Sequence, residues 1–303
     1  MTRSLLASFL LLPLAALPAA AQDPHAEHMA AAQPAPQAAS TSAPSALTWA
    51  KEALERSPRH REWVNVKSGN RTVSAFVVYP EVKSKATAVV VIHEIFGMSD
   101  WVQMLTDELA EAGYIAIAPD LLSGMGPNGG GTSAFADGNA VGKAIRDLPP
   151  DQVTADLTAV ADYVGALPAA NGKVAVAGFC WGGTQSFRFA TSRPTLKAAF
   201  VFYGSGPESP EAIAAINAPV YGFYAGNDAR IGATVPKTQE LMKTAGKAYE
   251  AVTYEGAGHG FMRAGDAPAP AADADPKLRG AYAGNKKARD ESWSRWKALL
   301  AKL

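Results

Sequence analysis

The 303 residues hold 28 Lys+Arg against 28 Asp+Glu, with 48% apolar and 18% charged side chains. That composition suits one large globular domain or two small ones. A formal net charge of zero excludes bulk electrostatic capture of nucleic acid or of an anionic membrane. The first 21 residues carry Arg3, then an apolar stretch interrupted by Pro13, and the small residues Ala19-Ala20-Ala21. This is the pattern of a signal peptide over 1–21 with cleavage after Ala21, which implies a periplasmic or secreted protein. The apolar run is short for a membrane span, so no stable membrane insertion is expected after cleavage, with an uncleaved anchor as the alternative. Residues 22–46 are rich in Ala, Pro, Gln and Ser without apolar period and read as a flexible linker. His25 and His28 lie there without the carboxylates or cysteines that would complete a metal site, and no metal is expected.

A single domain is expected over 47–303. "REWVNVKS" (61–68) and "TVSAFVVYP" (72–80) alternate around Gly69-Asn70, a hairpin signal. "ATAVVVIHE" (86–94) is a nearly continuous apolar run, as in a strand buried on both faces. A helix follows, capped by Ser99 or Asp100, with Val102, Leu105, Leu109 and Ala112 as its stripe and Gly113 as its stop. Further strands are expected at 114–120, 173–179, 197–204, 219–226 and 248–256, and helices at 151–167, after Gly182 and around Trp293–Leu300. Strand and helix alternate in this way in an α/β fold with a mostly parallel sheet covered on both faces. A (β/α)8 barrel is the rival, and the initial hairpin counts against it. Residues 123–138, "SGMGPNGGGTSAFADG", are too long and glycine-rich for a simple connection and read as a mobile loop near the site.

Functional groups collect at the carboxyl ends of parallel strands. Cys180, the chain's one cysteine, stands in "GFCWGG" between an expected strand and an expected helix. Gly-x-nucleophile-x-Gly in that setting is a nucleophile elbow: the tight turn needs Gly178 and Gly182, and it aims the Trp181 N–H at a developing oxyanion. A cysteine packed in the core between glycines is the alternative. His259, between glycines on a loop after the last strand, suits proton transfer. Asp228 in "AGNDARI" can orient that imidazole, or cap a helix. The order nucleophile, acid, base is that of this architecture. The loop after 86–94 offers the Ile95 N–H as second oxyanion donor and Phe96 as a substrate-binding side chain. Glu94 can take or hold a thiol proton, or form a salt bridge. His93 reads as a buried hydrogen-bonding residue rather than a base.

Together, "HEIFG", "APDLL", "GFCWGG", "GND" and "GAGHGF" resemble the dienelactone hydrolase family of α/β-hydrolases over about residues 60–265 plus the final helix. The resemblance implies an α/β-hydrolase fold, a Cys180–Asp228–His259 triad, oxyanion donors at Ile95 and Trp181, and no cofactor. It also implies that Glu94 holds the resting thiol neutral and pairs with Arg263 until a substrate carboxylate draws that arginine away. The family's second anion-binding arginine is missing, since Gly124 stands at its place, and 264–287 reads as an insertion before the C-terminal helix. The expected protein is a hydrolase of small carboxylic esters or lactones, a monomer or small homo-oligomer. Two other readings stand beside it. One is a redox or peroxide-reactive thiol, weakened by the lack of a second cysteine. The other is a binding protein on a hydrolase scaffold.

Overall fold

The computed structural model describes residues 47–303, so the readings for 1–21 and 22–46 lie outside the described residues. In chain order the elements are α1 (Thr48–Arg56), β1 (Arg61–Ser68), β2 (Arg71–Val78), β3 (Ala86–Ile92), α2 (Asp100–Glu111), β4 (Ile115–Pro119), α3 (Gly138–Arg146) and α4 (Pro150–Gly165). There follow β5 (Ala170–Phe179), α5 (Trp181–Ser192), β6 (Ala199–Phe202), α6 (Pro210–Ala214), β7 (Val220–Ala225), α7 (Ala229–Gly232), α8 (Val235–Thr244), β8 (Tyr249–Tyr254) and α9 (Pro276–Leu300).

The eight strands form one sheet in the order β1-β2-β4-β3-β5-β6-β7-β8. The β1–β2 and β2–β4 pairs are antiparallel and every later pair is parallel. This is the α/β-hydrolase arrangement; an open sheet with a leading hairpin removes the barrel alternative. Every residue of β3 and of β4 is buried. The reason is visible in β3, whose successive side chains point to opposite faces. Ala88, Val90 and Ile92 join Val153, Leu157, Val160 and Val164 of α4 in one core layer. Val89 and Val91 join Trp101, Leu105 and Leu109 of α2 and Trp296 and Leu300 of α9 in the other. Burial on two faces favours apolar side chains at every position; the one polar residue, Thr87, has its hydroxyl bonded to Asn171, which is why the run reads as nearly continuously apolar.

Local chemistry sets the helix ends. The Ser99 hydroxyl accepts from Val102 N at the start of α2, and Gly113, at φ +98°, follows the helix in a conformation that disfavours other residues. Three features depart from the sequence reading. Helices α1 and α3 were not expected; α3 is started by Asp137, whose carboxylate accepts from the N–H groups of Asn139 and Ala140. The Gly-rich segment contains two short 3-10 turns, Pro127–Gly129 and Thr132–Ala134, and is pinned by Thr132. The C-terminal helix begins at Pro276, so the second half of 264–287 is helix rather than an insertion before it. The cap is Asp275, accepting from Lys277 N at 2.7 Å, with proline in the first turn.

Candidate active site

Strand β5 ends at Phe179 and α5 begins at Trp181, so Cys180 alone makes the turn, with φ +56° and ψ −118°. The strain is held by hydrogen bonds on both sides: Cys180 N donates to Phe202 O at 3.0 Å, and Gly183 N to Cys180 O at 2.9 Å. A side chain at Gly182 would strike the carbonyl oxygens of Ile92 and His93, and one at Gly178 would strike Gly182 itself. The glycines are therefore required by close backbone approach, and the thiol is lifted to partial exposure. Trp181 is the first residue of α5, so its N–H has no partner within the helix. The Ile95 N–H likewise meets no acceptor among the described residues.

Asp228 and His259 come from the ends of β7 and β8. Nδ1 of His259 lies 2.5 Å from Asp228 Oδ2. The other carboxylate oxygen accepts from Ile231 N at 3.3 Å and starts α7, so Asp228 touches the His259 ring and caps the helix at once. Burial lowers the imidazole's pKa, but hydrogen bonds to Asp228 and Cys180 outweigh it and carry the group up to about 9. Burial pushes Asp228 up, and its hydrogen bond and attraction to His259 win, leaving it below its ordinary value. The loop that carries His259 is anchored from α9. Asn285 Oδ1 accepts from Gly258 N at 2.7 Å, and a side chain at Gly284 would strike the Gly256 carbonyl.

Glu94 is only 2% exposed. Its Oε2 lies 3.4 Å from Arg263 Nε, and its Oε1 accepts the Tyr203 hydroxyl at 3.1 Å. The guanidinium of Arg263 also sits 5.3 Å from the centre of the Phe96 ring. Glu94's charge favours the protonated guanidinium and outweighs the burial of Arg263. Tyr203 was missed in the sequence. It follows β6 directly, is fully buried at φ +41°, and sets its ring 5.0 Å from that of His259. Burial, then Glu94's negative charge, hold its phenol protonated far above the ordinary range. Its place at a strand's carboxyl end, before a glycine, is the signal that could have found it.

His93 is fully buried, with Nδ1 2.9 Å from Glu94 O and its ring stacked 5.6 Å from that of Trp181. Burial lowers its pKa, so it stays neutral, and its Nε2 has no hydrogen-bond partner among the described residues. The loop bearing Ile95 and Phe96 is braced by a clasp. Asp120 accepts from Thr132 N at 2.8 Å and from Thr132 Oγ1 at 2.7 Å, and the same hydroxyl accepts from Met98 N at 3.1 Å. Gly124, at φ +76°, has open space around it and brings no cation to the site.

Residues 73–303 match the model of the dienelactone hydrolase family. The chain belongs to that family. The dienelactone hydrolase family relatives include proteins of Salmonella typhi and Methylorubrum extorquens, each named "Putative carboxymethylenebutenolidase". The first is 33% identical over 65% of this chain and 76% of its own length, the second 31% identical over 65% and 71%. A solved structure described as a "Putative Dienelactone Hydrolase" from Klebsiella pneumoniae superposes with a TM-score of 0.67 at 27% identity, over 82% of this chain and all of its own. Family membership makes this protein a hydrolase acting on esters or lactones.

Proposed function

We propose that the enzyme cleaves small carboxylic esters or lactones through a cysteine acyl-enzyme. Cys180 is the nucleophile, His259 the acid and base, Asp228 its orienting group, and Glu94 the gate on the thiol. The observation that carries this reading is the His259 imidazole, held through Nδ1 by Asp228 at 2.5 Å, with its protonated form favoured by Asp228 and Cys180 together. With a pKa of about 9 the resting imidazole is protonated at neutral pH, and it cannot then take the thiol proton. Glu94 can, once an anionic substrate group competes for Arg263. The thiolate sulfur then bonds to the carbonyl carbon, and the ester C–O bond breaks. His259 gives its proton to the departing alkoxide. Neutral His259 next takes a proton from water, whose oxygen attacks the thioester and releases the carboxylic acid. Glu94 finally returns its proton to the sulfur. The N–H groups of Ile95 and Trp181 hold the oxyanion in both halves.

Phe96 and Arg263 form the substrate-facing wall, and the single cation beside Glu94 suits a monoanionic or neutral acyl group better than a substrate held by two arginines. The N-terminal pattern supports export to the periplasm or beyond, checked by the mass of the mature N-terminus in a cell fraction. The deciding assay is turnover of p-nitrophenyl acetate and a small lactone panel by the wild type and by Cys180→Ala. Turnover lost in Cys180→Ala supports the mechanism; equal turnover in both refutes it. Glu94→Gln should speed iodoacetamide alkylation of Cys180 or change its pH profile, and an unaltered rate and profile counts against the gate.

A further inference from the structure

A cleft of about 680 Å³ lies beside the active site, not over Cys180. Its floor is the outer face of the β1–β2 hairpin, and its wall is the segment 123–133. Trp63 pairs with Phe76, Asn65 with Ser74 and Lys67 with Thr72, so alternate residues of the two strands share this face. Trp63 is 49% exposed, with its ring 5.4 Å from Phe76 behind it, and Met125 opposite is 41% exposed. Two of the four large exposed apolar side chains among the described residues therefore line one cleft.

The charges in the cleft are already used. Arg71 Nη2 donates to Ser123 O at 2.7 Å, and its Nε lies 3.5 Å from Asp156 Oδ2. Both oxygens of Asp120 accept from Thr132, and one also accepts from Leu122 N. What remains unspent is neutral. The amide of Asn65 and the hydroxyls of Ser74 and Ser133 make no side-chain hydrogen bond among the described residues. The Thr72 hydroxyl accepts from Lys67 and keeps its proton to donate. An aromatic platform above a row of neutral donors and acceptors fits a ring with one apolar face and hydroxyls at its edge. The nearest cation outside the lining, Lys67, is turned onto the Thr72 hydroxyl, and an acyl chain would strand the polar floor.

The cleft also stands on the rim that carries the thiol. Asp120 follows β4 and donates its N–H to Ser74 O of β2. From β2 to β5 the order runs through β4 and β3, three strand spacings or roughly 14 Å. A few linked rings bridge such a span. We infer that the Trp63 cleft is a subsite for a neutral glycosyl or polyol portion of the substrate, so that esters carried on short saccharides are a preferred substrate class. This rests on the ester-hydrolase reading above.

The test has two arms. In the first, cellotriose and xylotriose are titrated into the protein, following the indole N–H resonance that disappears in Trp63→Phe. A saturating shift with either sugar is expected, and an unmoved resonance at millimolar sugar overturns the proposal. In the second, kcat/KM is measured on acetylated cellotriose and on p-nitrophenyl acetate. Trp63→Ala, and separately Asn65→Ala, should lower the first relative to the second by roughly tenfold, about the worth of one aromatic contact. Equal losses on both esters would make the residues structural and overturn the subsite. Failure of the hydrolase reading shows itself differently, as no turnover of either ester above Cys180→Ala, while the resonance titration still reads the cleft.

Discussion

Asp228→Asn isolates the force that keeps His259 charged. In the wild type the imidazole's pKa rises from 6.5 to about 9 against the effect of its burial. At about 1.4 kcal/mol per unit, that rise is a preference of roughly 3 kcal/mol for the protonated ring. An amide keeps the shape of Asp228 and its cap on Ile231 but supplies no charge to the ring at 2.5 Å. Burial then acts with less opposition, and the imidazole should titrate at least about one unit lower. At pH 8 the wild-type ring is roughly nine-tenths protonated. A ring returned to its ordinary value would be only about 3% protonated, a loss of roughly thirtyfold in general acid. The loss should fall mainly on esters whose alcohol needs that proton. The assay is a pH–rate profile from 5.5 to 9 for an ethyl ester by pH-stat and for the p-nitrophenyl ester of the same acid, alongside NMR titration of the His259 ring. The ethyl ester should lose more activity than the p-nitrophenyl ester in the variant, most of all above pH 7. An imidazole that titrates within about half a unit of wild type in Asp228→Asn would refute the argument.

The same shift predicts how stability varies with pH. A group whose folded pKa is raised stabilises most below its unfolded value, so His259's contribution is complete below pH 6.5 and is lost as pH rises through about 9. Urea midpoints should fall across that window, and by less in Asp228→Asn. Thr132→Val removes the hydroxyl's bonds to Asp120 and Met98 and leaves a buried carboxylate short of a donor, which should cost about 1–3 kcal/mol in urea unfolding and lower kcat by loosening the Ile95 loop. Trp296→Ala opens a hole beneath Phe179, Phe200 and Phe202, whose ring centres lie 5.9, 5.8 and 5.0 Å away. It should cost about 3–5 kcal/mol by denaturant midpoint at unchanged m.

What could be read in advance was what local chemistry fixes. A strand buried on both faces is nearly all apolar, so β3 announced itself; a turn between two glycines that cannot carry side chains announced Cys180. Cys180, Asp228 and His259 were legible as candidates because each follows a strand's carboxyl end within two residues of a glycine. Tyr203 obeys the same rule, but tyrosine within "FVFYG" looks like one more core aromatic, and only its contacts with Glu94 and His259 set it apart. Thr132 was hidden for another reason. Its partners Asp120 and Met98 are distant in sequence, and inside a Gly-rich run the segment looks loose until those bonds close it. The start of α9 was missed although "ADP" carries a capping aspartate and a first-turn proline, because glycines at 280 and 284 interrupt the apolar stripe.

The bond between Asn285 and Gly258 has a bearing on when the protein becomes active. The proposed base stands on a loop whose anchor is reached 27 residues later in the chain. Strand, elbow and thiol can all be in place while that loop still lacks its tether. Turnover therefore reports on the docking of the last helix, and a partly folded chain would carry its nucleophile with the proton relay unassembled.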